Sequence, residues 1–423
     1  MPADSIASAS PILDDDGQSV VLAPQGVSMG DIVQLGNRLD KVLTRWREKV
    51  TEPTGSKQPP TFSATQIAEL CGRSTVQMKR LLDKAAEKNL PDGALPAGVR
   101  GRSRVFSLAD ARQWVHTAGK RARRPEGARG ATICVANFKG GVGKTVVSMT
   151  LAQGLSLRTG ARVLAIDFDP QGSLTSVLGV SPAAVDEQDT VVPLMYPKSH
   201  EGSSDTLQSA IRSTYWDGID LIPANHALFS GEFYLPTRQM RAGIDEPDFQ
   251  FWEVLNKALD AGIREEYDYI IIDTPPALSY MTMTTFWAAD AILLPLPPEG
   301  IDFASSAQFW TMLSDLASGT TDRAAQGKTY GWVGVVPSKV DNNKLHTKEL
   351  LSLMKAGYRD MLLSTEIPET AAVRVGGARM ESVYDIQNYA GDRRTLLRAR
   401  EAYDRLVDEV DFLTHRNIWN TTA

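Results

Sequence analysis

Ile133-Cys134-Val135-Ala136-Asn137-Phe138-Lys139-Gly140-Gly141-Val142-Gly143-Lys144-Thr145 is the stretch that decides the fold. Its first five residues read as a buried strand, and Val147, Leu151 and Leu155 behind it fall on one helical stripe that ends near Gly160. A strand, a glycine loop and a helix in that order make a phosphate cradle. The glycines let backbone N–H groups point at phosphate oxygens, and the helix N-terminus adds its positive end. Lys144 is placed to reach the β- and γ-phosphates of a nucleotide, and the Thr145 hydroxyl to ligate Mg²⁺. The common spacing G-x-x-x-x-G-K-[ST] is not kept, because Phe138 stands at its first glycine; the loop has an additional lysine, Lys139, at its start.

Downstream, short apolar runs alternate with helical stretches, which predicts an α/β region with a mostly parallel sheet flanked by helices, spanning 131–423. Val163–Ile166 leads into Asp167-Phe168-Asp169-Pro170-Gln171-Gly172, and Tyr269–Ile272 ends at Asp273. A carboxylate at the C-terminal end of a strand, beside the phosphate loop, sits where an in-line water needs an orienting group. Ala291–Leu296 and Gly331–Pro337 read as later strands.

Upstream, residues 1–28 are small, polar and non-periodic, as expected of a disordered arm. In 29–52, Ile32, Leu35, Leu39, Val42 and Trp46 share one face of a helix, suited either to packing on its own domain or to a dimer contact. Within 61–119, Ser63 with Gln66 and Ser74 with Gln77 form two capping boxes eleven residues apart, which predicts helices over Ala64–Cys71 and Thr75–Lys88 joined at Gly72. Val99–Phe106 follows as a wing, and Ser107 caps a third helix, giving a small, mainly helical winged helix-turn-helix. Residues 120–130 read as a basic linker.

The chain carries a net charge of −6, so DNA binding has to come from a local patch. Such a patch exists: between Val99 and Gly130 there are nine basic residues against two acidic ones. Arg100, Arg102 and Arg104 lie on the wing, and Thr75, Gln77, Lys79 and Arg80 near the start of the second helix, where base edges are read. Cys71 and Cys134, the two cysteines of the chain, are too few for a disulfide framework or a zinc site, and are expected to be buried small apolar residues in a cytoplasmic protein.

The loop Lys139–Thr145 resembles the deviant Walker A box of the ParA/MinD family of P-loop ATPases. Asp167–Gly172 is similar to the D-x-D-P-Q-G box of ParA proteins, and Tyr269–Pro276 to the family's Walker B. The resemblance implies an ATP- and Mg²⁺-dependent ATPase of weak intrinsic activity, with ATP held by Lys139, Gly140, Gly141, Val142, Gly143, Lys144, Thr145 and Val146. It implies that Lys139 reaches the nucleotide of the second subunit in a sandwich homodimer, that Asp169 positions the attacking water, that Asp167 lies near the metal beside Asp273, and that Pro337 borders the base. Val146 stands where many relatives have a second hydroxyl.

Within that family, a nitrogenase-like reductase needs cluster-bridging cysteines that are absent from this sequence, and a MinD-like membrane ATPase needs a basic C-terminal amphipathic helix. Ala402–Ala423 instead carries Asp404, Asp408, Glu409 and Asp411, which an anionic bilayer repels. The expected function is therefore DNA partition at the nucleoid, with a ParB-type centromere-binding partner. Arg374 and Arg379 beside Gly376-Gly377 would contribute to sequence-independent DNA binding, and the N-terminal domain would bind an operator. A nucleotide-switched repressor and an ATPase that positions a protein cargo are the alternatives.

Overall fold

The computed structural model describes residues 12–13, 19–20, 27–50, 57–94, 104–319, 327–371, 373, 381–387, 389 and 391–421. It divides into two units, Met1–Ser56 and Lys57–Ala423. In the first, where a disordered arm is expected, β1 (Ile12–Leu13) pairs antiparallel with β2 (Ser19–Val20). Helix α1 (Met29–Val50) is opened by Ser28, whose backbone N–H and hydroxyl both donate to Asp31 Oδ2, at 2.8 and 2.6 Å. Ile32, Leu35, Leu39 and Val42 of the expected apolar stripe are exposed, and the Trp46 side chain lies outside what the structure describes.

The second unit begins with β3 (Phe62–Ser63), α2 (Ala64–Leu70) and α3 (Thr75–Leu82). Both expected capping boxes are present, and Ser107 with Asp110 makes a third ahead of α4 (Leu108–Ala118). The second helix is shorter than its apolar spacing predicts. It is capped at Asp83, and a separate 3₁₀ turn over Ala86–Lys88 ends at Asn89, in the left-handed region at φ +53°. β4 (Val105–Phe106), the described end of the expected wing, pairs antiparallel with β3; residues 99–103 of that stretch lie outside the described residues.

The phosphate-binding half follows with β5 (Ala131–Val135), α5 (Lys144–Thr159), β6 (Val163–Asp167), α6 (Ser173–Val177), β7 (Arg212–Ser213), β8 (Ile219–Ile222), α7 (Leu228–Asp245), α8 (Val254–Ala258), β9 (Tyr269–Asp273), α9 (Tyr280–Ala288), β10 (Ala291–Leu296), α10 (Gly300–Gly319), β11 (Trp332–Pro337), α11 (Thr347–Tyr358) and α12 (Arg393–Asn417). The sheet order is β11-β10-β5-β9-β6-β8-β7, parallel except for β7 against β8. β5, β6, β9 and β10 are buried along their whole length, which is why they read as unbroken apolar runs rather than alternating ones. The chain order reverses at β5, between β9 and β10, and at such a switch point the strand ends leave a crevice for a ligand. Cys71 and Cys134 are both fully buried, as expected, and burial pushes the Cys134 thiol up to about 12.

The α2–α3 helix pair and the connector are not set apart from the α/β region. One apolar core holds Phe62, Ile67, Phe106 and Trp114 together with Leu151, Leu155 and Tyr269. Arg112 of α4 donates to the carbonyls of Ser156, Gly160 and Ala161 at the end of α5, and pairs with Asp217. Gly218, at φ +83°, makes room for it, because a Cβ there would fall inside the guanidinium. The expected linker is likewise a packed segment. Arg121 pairs with Asp408, Arg129 with Asp260, and Arg124 donates to the carbonyls of Arg264, Glu265 and Tyr267. Four of the nine cations counted as a DNA patch thus hold the unit together, a use that charge counting along the chain does not reveal.

Arg112→Ala leaves those carbonyls without their donor and Asp217 unpaired, and is expected to destabilise the second unit by about 2–3 kcal/mol. A thermal melt checks this: the expected result is a clear drop in Tm, and an unchanged Tm would show that the joint contributes nothing.

Candidate functional site

The phosphate loop leaves the C-terminal end of β5 and enters α5 at Gly143. Gly141 and Gly143 have φ of +76° and +103°, a region closed to most side chains, so the loop's path requires glycine at both. Its underside is fixed to the neighbouring strand ends. Asn137 Nδ2 donates to Pro295 O and Asn137 Oδ1 accepts from Lys139 N, at 2.9 and 3.0 Å. Past the buried end of β11 at Pro337, Ser338 Oγ donates to Val142 O at 3.0 Å and Lys339 Nζ to Gly141 O. Val142 is buried, Val146 half-buried, and Gly140 open to solvent.

Lys144 is only 7% exposed, and its Nζ donates to Lys139 O at 3.2 Å. Burial lowers its pKa, against the attraction of Asp273 and Asp169. Thr145 Oγ1 donates to Asp273 Oδ2 at 2.7 Å, and Ser148 Oγ to Asp273 Oδ1 at 2.8 Å. Ser148, one turn beyond Thr145 on the same helical face, is a site residue that the sequence reading passed over; the three-residue spacing was the available signal.

Asp167 and Asp273 are register partners on adjoining strands. Asp167 accepts from Thr175 N, Thr175 Oγ1 and Asp169 N, all within 3.1 Å, and its described hydrogen bonds include none to the phosphate loop. Burial raises the pKa of both carboxyls. Asp273 rises less, because Thr145, Ser148 and Lys144 favour its anion. Asp169 is half-exposed at the mouth of the crevice, and its Oδ1 accepts from Gln171 N at 2.9 Å.

The additional lysine points away from this cluster. Lys139 Nζ pairs with Asp302 Oδ1 at 2.7 Å; the Asp302 side chain, in the first turn of α10, is 8% exposed and that of Lys139 36%. Nothing local in the sequence marks Asp302 as a partner.

The residues fit MgATP. Among the described residues no group of three His, Cys, Asp or Glu side chains could cage a metal. A single hydroxyl beside a single carboxylate is what Mg²⁺ uses when phosphates and water supply the rest of its shell.

Of the DNA candidates, Thr75, Gln77, Lys79 and Arg80 are exposed on α3. Gln77 Oε1 accepts from Ser74 N at 3.1 Å, so its carbonyl is engaged by the cap and only its amide N–H groups are free for a base edge. Arg104 folds back onto Asp92, donating to its carbonyl at 2.8 Å. Arg100, Arg102, Arg374 and Arg379 lie outside the described residues.

Residues 130–323 match the AAA domain family. SopA of Escherichia coli K12 is 28% identical over 396 residues, 90% of this chain and 97% of SopA. A ParA family protein of Chlamydia muridarum is 29% identical over 282 residues, 67% of this chain and 98% of that protein. In sequence the chain is thus similar to ParA-type partition proteins over most of its length. A solved structure described as a partition protein, 20% identical, superposes with a TM-score of 0.61 over 91% of this chain and 98% of its own, so the fold is shared well beyond the phosphate-binding half. No described helix is long and apolar enough to cross a membrane.

Ser148→Ala removes one of two hydroxyls that orient Asp273, and is expected to lower Mg²⁺-dependent ATP hydrolysis by about tenfold. A steady-state ATPase titration with Mg²⁺ checks it; wild-type rates at every Mg²⁺ concentration would remove Ser148 from the site.

Proposed function

We propose that this ATPase segregates DNA by cycling between an ATP-bound dimer that grips bulk DNA and a released state that follows hydrolysis. The observation that carries this reading is Lys139, a second loop lysine whose side chain turns from its own subunit's cradle and is held on Asp302 instead. A cation at the loop's rim is suited to a phosphate presented by a second copy of the chain across a two-fold axis.

Lys144 would hold the β- and γ-phosphates of ATP, while Thr145 and Asp273 would hold Mg²⁺. When bound, the ion neutralises charge on the transferring phosphoryl group. Asp169, at the crevice mouth, would orient the attacking water. Lys139 would leave Asp302 and add a positive charge to the γ-phosphate of the opposite subunit. The exposed stripe of α1 gives a second, weaker self-association surface. DNA would be held without sequence preference by the arginine-bearing C-terminal region, with Arg374 and Arg379 contributing, and α3 would read an operator that controls the protein's own expression. A centromere-binding partner of the ParB type would stimulate hydrolysis.

Binding to random-sequence duplex across a salt series, with MgATP, MgADP or no nucleotide, tests the cycle. Binding should require ATP, weaken steeply with salt and be lost in Lys139→Ala, while Lys144→Ala should hydrolyse no ATP. Binding indifferent to nucleotide would favour the repressor reading. Asp302→Asn frees Lys139 from its own subunit and is expected to shift MgATP-dependent dimerisation to several-fold lower protein concentration. Sedimentation velocity reads that shift, and an unchanged midpoint would mean that the pair places no restraint on Lys139.

A further inference from the structure

We propose that a duplex held by the helix-turn-helix also runs across the start of α12, so that Arg393, Arg394 and Arg398 are phosphate contacts of the sequence-specific complex. The inference rests on the operator reading of α3 and adds a second surface to it.

Three observations carry it. First, Arg393, Arg394 and Arg398 are exposed, and their guanidinium groups have no hydrogen-bond or carboxylate partner among the described residues. This sets them apart from Arg112, Arg121, Arg124, Arg129, Arg158 and Arg264, each of which is paired. Second, their placement opposes the helix they sit on. Cations in a first turn face the positive end of the helix dipole, and Arg394 and Arg398 are one turn apart with like charge. The Asp392 carboxylate nearby accepts from Arg394 N, so it serves the cap rather than the guanidinium groups. An unrelieved cationic cluster of this kind suits a polyanion. Third, the cluster adjoins the helix pair. Thr61, Phe62 and Gln66 form one wall of a cleft of about 440 Å³, and Tyr389, Arg393 and Arg400 form the other. Arg400 Nε is buried there without a partner.

The adjacency is rigid. Phe62, Ile386 and Leu396 share one core, and Gln387 Nε2 donates to Pro59 O at 3.4 Å. In a helix-turn-helix the first helix crosses the sugar–phosphate backbone while the second enters the major groove. The surface beside the N-terminus of α2 is therefore the surface the flanking backbone meets, and here that surface is the arginine face of α12. Duplex DNA fits better than an acidic protein or a lipid surface, because it alone is already positioned by the neighbouring motif. One consequence is competition: arginines engaged at the specific site are unavailable to grip bulk DNA.

The test uses the full chain. Wild-type protein selects a duplex from a randomised pool, and binding to it and to a scrambled duplex is measured across salt for three proteins. These are wild type, Lys79→Ala/Arg80→Ala, and Arg393→Ala/Arg394→Ala/Arg398→Ala. The triple variant should bind the selected duplex with a log–log salt slope shallower by about 2.7, from three phosphates at about 0.9 each, and should keep its preference over the scrambled duplex. Its hydroxyl-radical footprint should shorten at one end. A triple variant with wild-type slope and footprint, beside a Lys79/Arg80 variant that loses the preference, overturns this inference and leaves the operator reading standing. If wild type selects no sequence, both fall. Sedimentation with phosphatidylglycerol vesicles that depends on the three arginines, without their effect on DNA, would also overturn it.

Discussion

Asp273 receives one hydroxyl from each of two consecutive turns of α5, and the geometry of the nucleotide site follows from that bond pair. It pins the first turn of the phosphate-loop helix to the end of a central strand, so the glycine loop between β5 and α5 is held at both ends. Parallel pairing of β5 with β9 places Val135 opposite Asp273, and pairing of β9 with β6 places Asp273 opposite Asp167. Two buried carboxyl groups side by side disfavour each other's ionisation, and the donors from Thr145, Ser148 and Thr175 offset part of that cost.

The phosphate-binding half was legible because its signals are local. A buried parallel strand writes itself as an apolar run, the loop's backbone demands glycine, and the capping boxes at Ser63, Ser74 and Ser107 are complete within four residues. Thr145 and Asp273 each read as a metal-side residue, Asp273 by the family resemblance, but the hydrogen bond between them joins residues 128 apart and comes from the fold. Asp302 and Lys339 reach the loop from 163 and 198 residues beyond their partners, and no short-range pattern announces such contacts.

The basic stretch after the helix-turn-helix shows the opposite case. Its charge was evident, but charge alone does not say which way a guanidinium points. Arg112, Arg121 and Arg124 turn inward, Arg129 stays exposed on Asp260, and the carboxylates and carbonyls that receive them come from distant parts of the chain. Along α12, Asp404, Asp408 and Asp411 do the same in reverse, taking Arg158, Arg121 and the Tyr269 hydroxyl. A helix whose acids seemed to argue only against a bilayer is an internal strut.

Arg112 binds the carbonyls of Ser156, Gly160 and Ala161 around the end of α5, while the phosphate loop occupies its first turn, so one helix spans from the nucleotide site to α4. At sixteen residues it is about 24 Å long. Most of those residues are buried in the core that α4 shares, so the two ends are joined by a packed strut and not by a free linker.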